Sequence, residues 1–208
     1  MLFPERTRRP LVCLVTAGPD RRSVADIVVE ASDAGVDLIQ IREPSLDDRT
    51  LMSLMRRVVA STHSTASRII VNDRFDVAAA AGAAGVHLRG SSYPAARLRS
   101  VAPDPFLIGR SIHSSADVRD ADGCDYLMFG TVFPSASKPA GHHAAGVDAL
   151  RQVCARASMP VIAIGGISLE NARQVIDAGA CGVAAIGLFR GAASMSATMA
   201  ALRRRIDT

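Results

Sequence analysis

The chain has 208 residues, of which 49% are apolar, enough for a sizeable core and too many for a chain that is mostly disordered. Its formal net charge is +4, concentrated at the two ends, and only 4% of its residues are aromatic. These values favour solvated termini and an anionic small-molecule substrate, and they argue against a nucleic-acid partner.

The four cysteines are scattered and lack the CxxC spacing of metal sites, so we expect buried free thiols. No apolar run is long enough to span a membrane, and Pro4, Glu5 and several arginines stand where the apolar part of a secretory signal would begin. We therefore expect a soluble cytoplasmic protein without a membrane partner. The sequence leaves the oligomeric state open, a homo-oligomer included.

Short aliphatic or β-branched runs alternate with segments of helical period along the whole chain. The predicted strands span residues 11–16, 36–42, 68–72, 85–89, 106–110, 125–130, 160–166 and 182–187. Ser23 is the predicted N-cap of the first helix, and Ser168 that of the helix after the seventh strand. Helices that close on small residues before every second strand, as in "DAGVDLIQIR" and "DAGACGVAAIG", strengthen this pattern.

Eight strands alternating with helices, without a linker, predict a single (β/α)8 TIM-barrel domain over residues 1–208. An open doubly wound sheet is the main alternative. Its nucleotide-binding form carries GxGxxG after the first strand, and "TAGPDRRS" lacks that motif.

In a TIM barrel the functional groups gather where the strands end. Polar side chains at those positions are Gln40, Arg42, Asn72, Asp73, His87, Arg110, Ser111, His113, Ser135, Ser137 and Lys138. Gln40 and Arg42 are two residues apart and share a strand face, so we expect Arg42 to bind an anion; the alternative is an ion pair with Glu43 or Asp73. His87, inside a strand, is interpreted as a hydrogen-bonded core histidine.

Two glycine turns follow the last two strands: Gly165 and Gly166 in "AIGGIS", and Ile186 and Gly187 in "AIGLFRG". Backbone N–H groups at such turns approach an anion closely, and barrels commonly hold a phosphate there. The alternative is that these glycines serve only as tight turns.

The connection after the sixth strand, "TVFPSASKPAGHHAAG", is long and carries hydroxyl groups, Lys138 and the pair His142 and His143. Lys138 is a candidate phosphate contact or a surface lysine. The histidine pair does not predict a metal site, because consecutive side chains point apart and no third ligand is evident.

His113 follows the fifth strand in "IGRSIHSSAD" and is a candidate proton-transfer group. Ser114 is the better candidate for the cap of the next helix, with Asp117 in its first turn.

Taken together, "IQIRE", "IIVNDR", "GVHL", "IGRSIHS", "YLMFGTVFPSASKPAG" and "PVIAIGGIS" resemble the thiamine phosphate synthase and TenI superfamily over nearly the whole chain. The resemblance implies a TIM barrel that binds thiazole phosphate at the glycine turns. It also implies one of two activities. A synthase joins hydroxymethylpyrimidine diphosphate to thiazole phosphate with Mg²⁺ and releases diphosphate. A TenI-type tautomerase moves a proton to aromatise thiazole phosphate carboxylate and needs no cofactor.

Some synthase motifs are kept and others are not. In synthases the motif of the second strand resembles QLREK; Gln40 and Arg42 match it, but Pro44 replaces its lysine. After the third strand, Asn72 and Asp73 match the asparagine and aspartate of synthases, in which the aspartate binds metal. The loop resembling TPTK is kept as Ser135, Ser137 and Lys138.

Ser92 stands where synthases place a second magnesium-binding carboxylate. The lysine missing at Pro44 and the carboxylate missing at Ser92 each cost about 1.5–3 kcal/mol of contact with a charged group. Together they lower the rate by about 10² to 10⁴ unless another group substitutes. Proton transfer needs only a group such as His113 and a phosphate anchor. The residues therefore favour a TenI-like tautomerase over a synthase or a non-catalytic thiazole phosphate binder.

Overall fold

The computed structural model describes residues 9–18, 20, 22–135, 141 and 143–207. Eight parallel strands close into a barrel in chain order, and the first pairs with the eighth. They are β1 (Leu11–Val15), β2 (Leu38–Ile41), β3 (Arg68–Asn72), β4 (Gly85–Leu88), β5 (Leu107–Ile112), β6 (Tyr126–Phe129), β7 (Val161–Ile164) and β8 (Gly182–Ala185). The predicted (β/α)8 barrel is confirmed, and each strand ends within two residues of its predicted bounds.

Helices connect the strands around the outside of the barrel. Those in the described ranges are α1 (Val24–Asp33), α2 (Asp48–Thr62), α3 (Phe75–Ala80), α4 (Ala95–Arg99), α5 (Gly146–Arg156), α6 (Ala172–Asp177) and α7 (Met195–Ile206), with a 3₁₀ helix (Asp117–Asp120) between β5 and β6. None of them combines the length and apolar character that a membrane span needs. That the whole of residues 1–208 forms one domain stays a prediction.

Two predicted helix caps differ in outcome. The Ser23 side chain accepts the backbone N–H of Asp26 at 3.2 Å and caps α1, as predicted. Ser168 does not cap a helix, because α6 begins only at Ala172. The Asn171 side chain instead accepts the Ser168 N–H at 2.8 Å and donates to the Gly166 carbonyl at 2.9 Å, which closes a turn before the helix.

Successive side chains of each strand alternate between the barrel interior and the surrounding helices. The interior cluster includes Cys13, Leu38, Ile70, Leu107 and Tyr126. A larger apolar cluster fills the layer between strands and helices. The barrel interior is thus largely apolar, and the polar side chains in it lie toward the carboxyl ends of the strands.

Candidate active site at the carboxyl ends of the strands

An amide pair lies inside the barrel at the ends of β2 and β3. Gln40 is 3% exposed, and its Nε2 donates to Asn72 Oδ1 at 3.1 Å. The Gln40 Oε1 is buried and has no hydrogen-bond partner among the described residues. A buried carbonyl oxygen without a donor is costly, so it marks a place where a ligand N–H group would be favourable.

His87, on β4, belongs to a hydrogen-bond chain across the interior. Its Nδ1 lies 2.9 Å from the Tyr126 hydroxyl and its Nε2 lies 2.9 Å from Ser111 Oγ. Burial lowers the pKa of His87 to about 3, against a smaller opposing effect of the Asp73 charge. The ring is therefore neutral, as expected for a hydrogen-bonded core histidine, and it positions the Ser111 hydroxyl at the mouth of the barrel.

Asp73 directly follows β3 and adopts a left-handed backbone conformation with φ of 60°. This conformation is uncommon outside glycine, and residues held in it cluster at functional sites. One oxygen of its carboxylate accepts the Ser92 hydroxyl, and the other accepts Arg89 Nε at 2.6 Å and also pairs with the same guanidinium through Nη2. Both oxygens of Asp73 are therefore engaged within the protein.

Arg110, on β5, holds the loop that carries Ser92. The side chain is only 6% exposed, and it donates to the carbonyl oxygens of Gly90 (2.7 Å), Ser92 (3.2 Å) and Tyr93 (3.0 Å). These contacts satisfy a buried cation with backbone acceptors. Arg110 is thus a positioning residue for the loop rather than a free anion contact.

The residues around Asp73 do not fit a magnesium site with two carboxylates. Mg²⁺ prefers oxygen ligands, usually one or two carboxylates, and a synthase-type site needs a second one near Asp73. Here a serine hydroxyl and a guanidinium occupy the two carboxylate oxygens. The described residues contain no group of three or more His, Cys, Asp or Glu side chains arranged to hold a metal.

His113 lies immediately after β5, and its ring is oriented by the backbone. Nδ1 is 2.6 Å from the carbonyl oxygen of Gly130, which can only accept, so the hydrogen sits on Nδ1 and the lone pair of the neutral ring is on Nε2. A Cβ built on Gly90 would come within 4.0 Å of Cδ2, so His113 borders the loop of Ser92. This arrangement suits a group that takes a proton at Nε2.

The predicted cap at Ser114 is wrong. The 3₁₀ helix has no side-chain cap, and the Asp117 carboxylate instead accepts the backbone N–H groups of His113 and Ser114, both at 2.9 Å. Burial is the largest single effect on the pKa of Asp117 and raises it, but the hydrogen bonds from His113 and Ser114 together outweigh burial, so this pKa lies below its ordinary value. Asp117 therefore fixes the backbone that carries His113.

The two glycine turns differ in what they require. Gly165 and Gly166 have φ of 100° and 63°, and a Cβ on either would overlap Thr131 or Pro134, so turn geometry alone explains them. Gly187, next to Ile186, has nothing within 4 Å of a built Cβ and no unusual φ. No backbone hydrogen bond among the described residues uses the N–H of Gly166 or Gly187, so both are available to an anion.

Arg42 lies outside the position expected for it. β2 ends at Ile41, and the Arg42 side chain is exposed, with no ion pair to Glu43 or Asp73 in the described part of the chain. The chain turns Glu43 inward instead, where Oε2 accepts the Gly18 N–H at 3.2 Å. The strand face shared by Gln40 and Arg42 is thus interrupted after Ile41.

The described residues include only part of the loop after β6. Ser135 is half-buried and His143 is exposed, whereas Ser137, Lys138 and His142 lie outside the described residues. Their predicted roles remain predictions.

Arg89 was not among the predicted site residues. Its only sequence signal is a charged residue directly after a buried strand in "GVHLR", and its partner Asp73 is 16 residues earlier in the chain. Only the closed barrel, in which β3 and β4 are neighbours, brings them together.

Comparison with known proteins gives a consistent result. The family model described as thiamine monophosphate synthase (TMP-TENI) matches residues 11–189. A thiamine-phosphate synthase from Methanoculleus marisnigri is 40% identical, with 89% of each chain covered, and one from Methanoregula boonei is 37% identical over 90% of this chain and 88% of that one. The solved thiamine phosphate pyrophosphorylase of Pyrococcus furiosus superposes with a TM-score of 0.82 at 30% identity, covering 96% of both chains.

Proposed function

Because the chain belongs to the thiamine monophosphate synthase family, an enzyme family of thiamine biosynthesis, we propose that it is a thiamine-phosphate synthase. Its substrates would be hydroxymethylpyrimidine diphosphate and thiazole phosphate. The likeness to relatives named as synthases, over about nine-tenths of the chain, carries this proposal. It reverses the preference for a tautomerase that the sequence motifs alone suggested.

The amide pair supports the synthase. The pyrimidine substrate carries an amino group on its ring, and Gln40 Oε1 is a buried acceptor without a donor. An amino group bound there would satisfy it, while Asn72 fixes the amide through Nε2. A thiazole phosphate carboxylate has no comparable donor, so this feature favours a site that also takes the pyrimidine.

The reaction itself needs little covalent chemistry from the protein. The bond between the pyrimidine's methylene carbon and the diphosphate oxygen breaks, and the electron pair leaves with the diphosphate. The thiazole nitrogen then bonds to that carbon. We expect the N–H groups of Gly166 and Gly187 to hold the thiazole phosphate, and the Ser111 hydroxyl, positioned by His87, to contact substrate.

A tautomerase is the second candidate, and His113 favours it. Its Nδ1 is fixed by the Gly130 carbonyl, which leaves Nε2 as a base at the mouth of the barrel. In a synthase, the same ring would only border the substrates.

One assay separates the two. Purified protein is given both synthase substrates, and thiamine phosphate is measured by its fluorescent oxidation product; in parallel, aromatisation of thiazole phosphate carboxylate is followed by its ultraviolet absorbance. We expect thiamine phosphate to form, and Gln40→Met to lower the rate. If the carboxylate is aromatised, no thiamine phosphate forms, and His113→Ala abolishes the aromatisation, the tautomerase is correct instead.

A further inference from the structure

We propose that the guanidinium of Arg89, held on Asp73, occupies the position of a divalent cation and binds the diphosphate group of the substrate directly. The inference rests on the proposed synthase function for the identity of the anion. It concerns a residue for which the sequence motifs predicted no role.

The formal charges of the site balance without a metal. Two carboxylates and one divalent cation sum to zero, and so do one carboxylate and one guanidinium. Replacing the second acid by Ser92 and adding Arg89 beside Asp73 therefore keeps the net charge of a loaded metal site. A divalent cation added to the present arrangement would meet a guanidinium at contact distance, and this repulsion disfavours its binding.

The geometry keeps Arg89 available to an anion. The guanidinium contacts Asp73 with Nε and Nη2, which leaves the other N–H groups of its planar fork unused by that pair. The Arg89 side chain is 67% exposed, whereas that of Asp73 is 17% exposed. The carboxylate is thus largely covered by protein while the cation is exposed to solvent, and Asp73 is a positioning residue for Arg89.

The surrounding loop holds this pair in place. The Ser92 hydroxyl donates to Asp73 and accepts the backbone N–H of Arg89 at 3.0 Å. Buried Arg110 fixes the carbonyl oxygens of Gly90 and Ser92. A pre-positioned guanidinium loses less conformational entropy when it binds a diphosphate, which it can contact with two parallel hydrogen bonds.

The first test is a binding measurement with inorganic diphosphate in the presence of EDTA, by isothermal titration calorimetry. We expect wild type to bind without metal and Arg89→Gln to weaken binding by at least about tenfold, from the loss of charge-assisted hydrogen bonds. Arg97→Gln removes the same charge from an exposed position on α4 and is the matched control. If wild type binds diphosphate only when Mg²⁺ is added, or if the two variants bind equally, the proposal is wrong.

The second test restores a metal site and does not depend on catalysis. Bound Mn²⁺ is counted by electron paramagnetic resonance in wild type and in the double variant Arg89→Gly with Ser92→Asp. We expect stoichiometric Mn²⁺ only in the double variant, because it regains a second carboxylate and loses the guanidinium. Stoichiometric Mn²⁺ on wild type that Asp73→Asn removes would overturn the proposal.

These outcomes separate the two proposals. Metal-free diphosphate binding through Arg89 in a protein that makes no thiamine phosphate would refute the synthase and retain the anion site. An active synthase that needs Mg²⁺ to bind diphosphate would confirm the synthase and refute the role of Arg89.

Discussion

Replacing Gln40 by methionine is expected to lower activity without lowering stability. The Gln40 side chain is buried and its Oε1 has no partner among the described residues, a cost of about 1–3 kcal/mol to the folded state. The same side chain gains about 0.5–1.5 kcal/mol from its bond to Asn72. Methionine has a similar shape and removes both, so the free energy of unfolding should stay the same or rise by about 1 kcal/mol.

Gln40→Met should lower catalytic activity, and by more than it changes stability. A substrate amino group left without its acceptor in the buried site costs about 1–3 kcal/mol, which is about 5- to 150-fold in kcat/KM for the pyrimidine substrate. Stability is measured by urea unfolding and activity by thiamine phosphate formation. Ile70→Met is the control, because Ile70 is opposite Gln40 in the register of β2 and β3 and is also fully buried.

Two results would refute this reasoning. If Gln40→Met unfolds more easily than wild type by over about 2 kcal/mol, the amide is a structural element of the barrel. If kcat/KM for the pyrimidine substrate is unchanged, the unpaired oxygen does not contact substrate.

Three further variants test the site. Gly109→Ala should lower stability by about 1–3 kcal/mol or more, because its Cβ would lie 2.0 Å from the Tyr126 ring; a thermal shift equal to that of wild type would contradict this. Gly187→Ala has open space and should change stability by less than about 0.5 kcal/mol, while calorimetry should show weaker binding of thiazole phosphate; unchanged affinity would exclude a close contact there. Burial lowers the pKa of His87 to about 3, so as the pH falls below about 6.5 this histidine takes up a proton in the unfolded chain but not in the folded one. The free energy of unfolding should therefore fall by up to about 1.4 kcal/mol per pH unit. His87→Gln should flatten that slope in urea titrations between pH 7 and 4, and equal slopes for both proteins would contradict the burial argument.

The turn after β7 shows where local sequence patterns mislead. A serine before a helical segment predicts a cap, and Ser168 has that context, but the Asn171 side chain bonds the Ser168 N–H and the Gly166 carbonyl, and α6 begins only at Ala172. At Ser114 the 3₁₀ helix likewise has no side-chain cap, and the Asp117 carboxylate accepts the backbone N–H groups of His113 and Ser114. Short polar side chains form several alternative local hydrogen bonds, and propensity alone does not choose among them.

The synthase motifs are present only in part, and from the sequence alone they favour a tautomerase. Ser92 in place of a carboxylate argues against the synthase, because the sequence does not show that another charged group lies beside Asp73. In the structure Arg89, on the loop after β4, pairs with Asp73 after β3, and this pair supports the substitution that we propose. The motif spacing therefore shows the missing carboxylate at Ser92, whereas the pairing of Arg89 with Asp73 is seen only in the structure.

The sequence by itself determined the architecture, because eight aliphatic runs separated by helical periods have few ways to bury their apolar faces, and the closed barrel is one that buries them all. It also predicted a site at the strand ends, since that prediction follows from the topology alone. Only the tertiary structure decided which polar side chains meet: Gln40 with Asn72, His87 with Ser111, and Arg89 with Asp73. Those contacts join residues 16 to 32 positions apart, and their geometry depends on strand register and side-chain direction, which no local pattern encodes.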